Sequence, residues 1–404
     1  MKVKRLTMKV EKLNLTISKG EIRMTLTFTL APDSFKESIT AKQVCDAMEL
    51  GIKHILPDAK VQKVPMADGG EGTVDALIAA TNGHKEFVTV NGPLPGQKVK
   101  SYFGILGDGK TAVIEMAKAS GLELVPPEKR DPFITTTFGT GELILAALNH
   151  GVKKIIIGIG GSATVDGGIG MAAALGVKFY DVNQQIVTPN GAGLNQINSI
   201  SLKDLDQRIK QTEFVVASDV TNPLIGKNGA ATVFGPQKGA LHTGVKQLES
   251  GLTNYANVVK QTLNIDVKNI PGSGAAGGLG AGLIIFTNAT LKPGIEIVID
   301  AVDLKNKIKD ADIVLTGEGG IDFQTKFGKT PFGVAQVAKS FQKPVIVEAG
   351  YLGEGIDQLY HCGITAIFGI LGQTGELKTA LKNGPANITR TTENIVRTLK
   401  IQLK

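Results

Sequence analysis

The strongest constraint on this chain is a unit that recurs along it. A short apolar run leads into a loop rich in small residues, with one or two acidic side chains, and then into residues at helical spacing. Leu26–Leu30 runs into Ala31-Pro32-Asp33-Ser34-Phe35-Lys36, and apolar residues then recur at helical intervals from Ala41 to Ile55, where Pro57-Asp58 stops them. Val61–Val64 runs into Met66-Ala67-Asp68-Gly69-Gly70-Glu71-Gly72, with a helix expected over Thr73–Ala80. Strand, loop and helix in repetition make a parallel sheet covered by helices. Such sheets hold ligands beyond the carboxyl ends of their strands, which is where these loops lie.

The rhythm changes in the middle. Glu86–Met116 carries three β-rich runs divided by Asn91-Gly92 and Gly107-Asp108-Gly109, the turn signals of antiparallel strands. A helix over Gly139–His150, a strand over Lys153–Ile157, a helix over Gly168–Leu175, a strand over Glu213–Ala217 and a long helix over Val245–Leu263 follow. After Lys292 the first rhythm returns, with strands Ile313–Thr316, Val345–Glu348 and Ile364–Phe368 and helices Gly333–Ser340 and Ile388–Leu399. A chain of 404 residues is expected to form two domains. The simplest assembly joins 24–86 and 292–404 into one open parallel α/β domain and inserts 87–291 as a mixed α/β domain. Residues 1–23 form a polar, basic extension without the apolar stretch of a signal peptide, and Met24 is a second candidate start.

Composition narrows the function. The chain has 50 glycines where average usage gives about 28, and they cluster in the loops, as suits backbone that turns tightly or approaches a ligand closely. The net charge is +7, yet the lysines are scattered and Trp is absent, so the footprint of a nucleic-acid partner is missing. A mild positive field suits an anionic small molecule. No apolar run reaches the ~18 residues of a membrane span, so a cytoplasmic protein is expected. Cys45 and Cys362 stand alone, which argues against a thiolate metal site; a bond between the two stays open.

Gly158-Ile159-Gly160-Gly161-Ser162-Ala163 follows an expected strand and matches the G-x-G-x-x-A pattern, with Asp181 further on; alone it favours an NAD(P)-dependent oxidoreductase that opens a helix at this loop. The same backbone N–H groups, with Ser162 and Thr164, can instead hold an anion. Pro271–Gly280 is a second glycine loop, either a phosphate cradle or close packing. Gly328-Lys329-Thr330 looks like the end of a P-loop, but Phe323 stands where the leading glycine belongs. The acidic residues say more as a set: Asp33, Asp68, Glu71, Asp166, Asp219, Glu318 and Asp322 all lie in loops near expected strand ends. Phosphoryl transfer needs carboxylates for Mg2+, a carboxylate for the acceptor's proton and a cation at the transferred group, for which Lys36, Lys238 and Lys329 are available. The five histidines lie outside the glycine loops.

Taken together, seven segments resemble the class I bacterial glycerate kinase family: Ala31–Ser38, Pro65–Thr73, Gly158–Gly168, Asp219–Leu224, Phe234–Ala240, Gly272–Gly280 and Leu315–Gly319. The resemblance is collinear from about Met24 to the C-terminus. It implies ATP-dependent phosphorylation of D-glycerate, usually at the 2-hydroxyl, with Mg2+, on two α/β domains of which one is Rossmann- or flavodoxin-like. Two departures stand out: family members usually carry Arg where Gly320 stands and Asn where Val165 stands.

The expected active site lies in the cleft between the domains. Asp68 or Asp219 accepts the proton of the acceptor hydroxyl, and Lys36 neutralises charge on the γ-phosphoryl group. Glu318 and Asp322 hold Mg2+. Asp33, Ser34, Gly160, Gly161, Ser162, Asp166, Gly274, Lys238 and Lys329 bind substrate or phosphate. Two rivals remain, the oxidoreductase and a relative that binds glycerate or ATP without turnover. Which hydroxyl reacts and whether the chain forms a homo-oligomer stay open.

Overall fold

The computed structural model describes residues 15–18, 21–373 and 375–402. Strands β1 (Leu15–Ser18) and β2 (Glu21–Met24) pair antiparallel as a separate ribbon; the rest of residues 1–23 lies outside the described residues. Strands β3 (Thr27–Leu30), β4 (Lys60–Lys63), β5 (His84–Asn91), β6 (Lys98–Ile105), β7 (Thr111–Glu115) and β8 (Lys154–Gly158) follow in chain order. After them come β9 (Lys178–Tyr180), β10 (Ser199–Ser201), β11 (Glu213–Ala217), β12 (Thr290–Lys292), β13 (Ile313–Ile321), β14 (Val345–Leu352) and β15 (Ala366–Gly369).

Two sheets organise the chain. One has five strands in the order β15-β14-β13-β3-β4, all parallel. The other has six, in the order β12-β11-β8-β7-β6-β5: β5, β6 and β7 run antiparallel, and β7, β8, β11 and β12 run parallel. This is the mixed α/β architecture expected, with a parallel sheet and a separate mixed sheet. Alternate residues of each strand enter different cores, as a period of two requires. Ile313 and Leu315 face helices Ala41–Ile55 and Gly384–Gln402, while Val314 faces the opposite way. On β8, Ile155 and Ile157 face the helices of the outer layer, and Ile156 joins the core that also holds Val314 and Val347. The two sheets therefore share one apolar layer, and the carboxyl ends of their parallel strands come together.

Local chemistry explains most elements. Helix Ala41–Ile55 begins with a reciprocal cap between Thr40 and Gln43. Several expectations change. Strands β13 and β14 run past Thr316 and Glu348, through the pairs Gly320 with Tyr351 and Ile321 with Leu352. Glycines at 317, 319 and 320 carry little strand propensity, but the ladder to β14 satisfies their backbone. The loop after β8 does not open a helix: the next one starts only at Ile169. Asp181 closes a local turn, accepting from the backbone N–H groups of Asn183 and Gln185. The dinucleotide reading thus loses both the helix N-terminus that would face a pyrophosphate and its acidic residue. The second glycine loop is largely helical, Ala275–Thr287, with left-handed backbone at Ala276, Gly277 and Gly278. A Cβ on Gly277 would lie 1.9 Å from the Thr164 carbonyl oxygen, so these glycines serve close packing. Helices Gly294–Ala301 and Leu304–Lys309, absent from the sequence reading, precede β13. Both cysteines are free thiols.

Candidate active site

Four acidic side chains converge where the strand ends meet. Asp33 follows β3 and is buried; its Oδ2 accepts from Thr330 Oγ1 at 2.6 Å and its Oδ1 from Ser34 N at 2.6 Å. Burial, and then the charge of Asp68, pushes its carboxyl up to about 6. Glu318 on β13 accepts from Thr325 Oγ1 at 3.2 Å and from Lys329 Nζ at 3.4 Å. Burial pushes it up to about 7; Lys329 works against that rise and Asp33 adds to it. Asp68, in the loop after β4, accepts one bond, from Gly70 N at 3.0 Å. Asp219, after β11, accepts from Gly294 N at 3.0 Å, and partial burial together with Asp68 raises its carboxyl. Helix Thr330–Ser340 brings Gly328-Lys329-Thr330 to this centre without being a P-loop. A Cβ on Gly328 would stand 3.9 Å from Asp219 Oδ1.

Backbone contact sets the spacing of these loops. A Cβ on Gly294 would lie 1.8 Å from the Asp68 carbonyl oxygen, and one on Gly158 2.9 Å from the Gly69 oxygen. The loop Asp68–Gly70 is therefore wedged between the ends of β8 and β11. A cavity of about 660 Å³ opens on one side of it, reaching Asp219, Pro293, Ile295, Phe327, Gly328 and Phe332. A second, of about 480 Å³, opens on the other, reaching Gly69, Gly70, Glu115, Lys118, Gly160 and Gly161. Lys36 is exposed and lines an adjoining space with Ser34, Tyr102 and Lys118, across from the mixed sheet.

Other expected site residues line none of these cavities and are engaged within the fold. Asp166 is fully buried and accepts from Thr137 N and Oγ1, Gly168 N and Gly170 N. Lys238 is also buried, donating to Ser162 Oγ at 2.6 Å and to the Thr164 carbonyl at 2.7 Å. Burial pulls its ammonium down to about 7 against the Asp166 charge. Gly274 is buried and its N–H donates to the Asn222 carbonyl. Asp322 caps the turn Phe323–Lys326 by accepting from Gln324 N at 2.8 Å. Among the histidines, His54 pairs with Glu393 and His84 with Glu86, away from this centre. Thr330 enters the sequence only as part of an incomplete P-loop, and nothing local singles out Glu115 or Lys118. Glu115 ends β7 inside an apolar stretch, with no glycine or proline beside it to mark a loop.

The glycerate kinase family matches residues 28–400. Glycerate 2-kinase of Escherichia coli K12 is 53% identical over 375 residues, covering 93% of this chain and 98% of that protein. Glycerate kinase of Haemophilus influenzae is 51% identical over 372 residues, covering 92% of this chain and 98% of that protein. A crystal structure of a Salmonella typhimurium LT2 protein assigned as glycerate kinase 2 superposes with a TM-score of 0.87 at 48% identity, covering 94% of this chain and all of that one. With family, architecture and converging loops in agreement, the chain belongs to the glycerate kinase family.

Proposed function

We propose that this protein phosphorylates D-glycerate with ATP, giving a phosphoglycerate, with 2-phosphoglycerate the favoured product, and ADP. The observation that carries the reading is the convergence of Asp33, Asp68, Asp219 and Glu318 between two cavities, beyond the carboxyl ends of strands from both sheets. The larger cavity suits the adenosine part of ATP, with Ile295, Phe327 and Phe332 as apolar walls and a volume in the range of small-molecule sites. Asp68 or Asp219, each holding a single backbone N–H, then accepts the acceptor's hydroxyl proton. Lys36 and Lys329 supply positive charge to the transferred group.

Mg2+ fits the donor chemistry. Mg2+ takes one or two carboxylates and completes its shell with phosphate oxygens and water. Among the described residues, no group of three or more His, Cys, Asp or Glu is placed to hold a metal ion by itself, so the proposed ion would depend on oxygens of the nucleotide. Asp68 raises the Asp33 carboxyl and Asp33 in turn raises Glu318, and a cation among such groups relieves that repulsion. Glu318 is the first ligand proposed, with Asp322 on the same strand end or Asp33 beside it; the ion would neutralise phosphate charge. No described helix is long and apolar enough to cross a membrane, and a cytoplasmic setting suits an ATP-consuming enzyme. The domain bounds proposed are 24–86 with 292–404 for the parallel sheet and 87–291 for the mixed one.

The test is ADP release by purified protein with ATP and Mg2+, with and without D-glycerate, and identification of the isomer formed. Glycerate-dependent turnover is expected. Folded protein that releases no ADP with glycerate would overturn the proposal and favour a relative that binds without turnover.

A further inference from the structure

The smaller cavity, on the side of the Asp68–Gly70 loop away from the apolar pocket, holds polar atoms that the fold leaves unused. Glu115 is buried, with 4% of its surface exposed. Its Oε1 accepts from Val74 N at 2.9 Å, in the first turn of helix Thr73–Thr81, but its Oε2 has no hydrogen-bond partner. The nearest cation is Lys118 Nζ, 3.9 Å from that oxygen, beyond hydrogen-bond range. Ser101, 2% exposed, likewise leaves its Oγ unpaired. Both residues line this cavity, together with Tyr102 and the backbone of Gly160 and Gly161. Two unpaired polar groups buried at one cavity are costly unless something completes them.

We infer that this cavity takes the hydroxy-acid acceptor, its carboxylate on the Lys118 ammonium and a hydroxyl donating to Glu115 Oε2. The assignment rests on the kinase reading and sharpens it by separating the acceptor from the nucleotide. Gly69 and Gly70 line the acceptor's cavity, which brings Asp68, a candidate base, to its edge. Burial raises the Glu115 carboxyl pKa, and an ordered hydroxyl donor with Lys118 near would favour its ionised form. The site selects for a small anion bearing a hydroxyl, because a neutral polyol leaves Lys118 without a partner. Glu115 ends β7 and Lys118 follows in the short helix Ala117–Ser120, and the sharp junction between them brings the two side chains within 3.9 Å.

The experiment is steady-state kinetics of the full-length protein and its Lys118→Met and Glu115→Gln variants, with D-glycerate and ATP varied separately. Lys118→Met is expected to raise KM for D-glycerate about 10- to 100-fold, with KM for ATP within about two-fold. It is also expected to lose most of the preference for D-glycerate over uncharged glyceramide, which a purely structural lysine would not change. Glu115→Gln keeps an acceptor for Val74 N and is expected to raise KM for D-glycerate about 3- to 10-fold. A KM change confined to ATP, or an unchanged KM for D-glycerate with preference retained in Lys118→Met, overturns the assignment. If the parent protein shows no glycerate-dependent turnover, the kinase reading fails first. Calorimetric titration with D-glycerate alone then decides the cavity separately: binding weakened by Lys118→Met upholds it, and unchanged or absent binding overturns it.

Discussion

Asp68 and Asp166 come from loops that look alike in the sequence, each an aspartate followed by two glycines. In the structure they have opposite characters. Asp166 is enclosed and accepts four hydrogen bonds from Thr137, Gly168 and Gly170, while Asp68 accepts one and keeps the rest of its carboxylate free near Asp33 and Asp219. A saturated carboxylate has little capacity left for a ligand, so its energy goes into holding the loop after β8 in place. An unsaturated one is available for chemistry. Spare bonding capacity, more than residue type, separates the loop proposed to react from the one that supports it.

The sharpest way to break this contrast is to neutralise each loop in turn. Asp68→Asn or Asp219→Asn is expected to lower kcat about 10²- to 10⁴-fold, with the melting temperature unchanged. If both variants retain near-normal turnover, neither aspartate is the base. Asp166→Ala should do the reverse, leaving buried N–H donors without an acceptor and costing about 3 kcal/mol in urea unfolding. The surviving folded enzyme should keep its KM values; a large KM shift at full stability would place Asp166 among the ligand contacts instead.

Glu348 extends the comparison to a carboxyl that lines neither cavity. It is buried on β14, accepts from Thr392 Oγ1 at 2.7 Å, and has an unpaired Oε2; burial pushes it up to about 8. An acid whose folded pKa exceeds its unfolded value contributes most stability below the unfolded value and loses it as pH rises through the folded one. Stability should therefore fall between about pH 4.5 and pH 8, by at most about 1.4 kcal/mol per pH unit from this group. Glu348→Gln, which cannot ionise, should flatten that slope. An unchanged slope would assign the pH dependence elsewhere.

The smallest effect is expected at Gly320. A Cβ there would stand 3.5 Å from Tyr351 Cβ, an ordinary contact. Gly320→Arg should change stability by no more than about 0.5 kcal/mol, and a few-fold lower KM for ATP or glycerate would show that the absent arginine matters to binding. A strongly destabilised variant would show that the end of β13 is tighter than its contacts imply.

How much could be read beforehand follows from the same physics. Helix Ala41–Ile55 was legible because Thr40, the apolar spacing and Pro57 all mark it locally. The loops at Asp33, Asp68, Asp219 and Glu318 were legible because each interrupts an apolar run with turn-forming residues. The extension of β13 was not, since glycine has weak strand propensity and only pairing with distant β14 makes it a strand. The saturation of Asp166 was hidden for a similar reason, because Thr137 lies 29 positions away. Glu115 escaped notice because a carboxylate inside Val-Ile-Glu-Met reads as strand, and only the fold shows what its second oxygen lacks.

The contact between Gly294 and the Asp68 backbone also works as a gauge. A reacting hydroxyl must come within about 3–3.5 Å of phosphorus, and small errors in that distance cost rate steeply. Here the position of the Asp68 loop is set by a methyl group that is missing, since an alanine at 294 would put carbon 1.8 Å from the Asp68 oxygen. Adding that one carbon would act as a shim, displacing the Asp68 loop and the Gly294 N–H that Asp219 accepts, and so shifting both candidate bases at once.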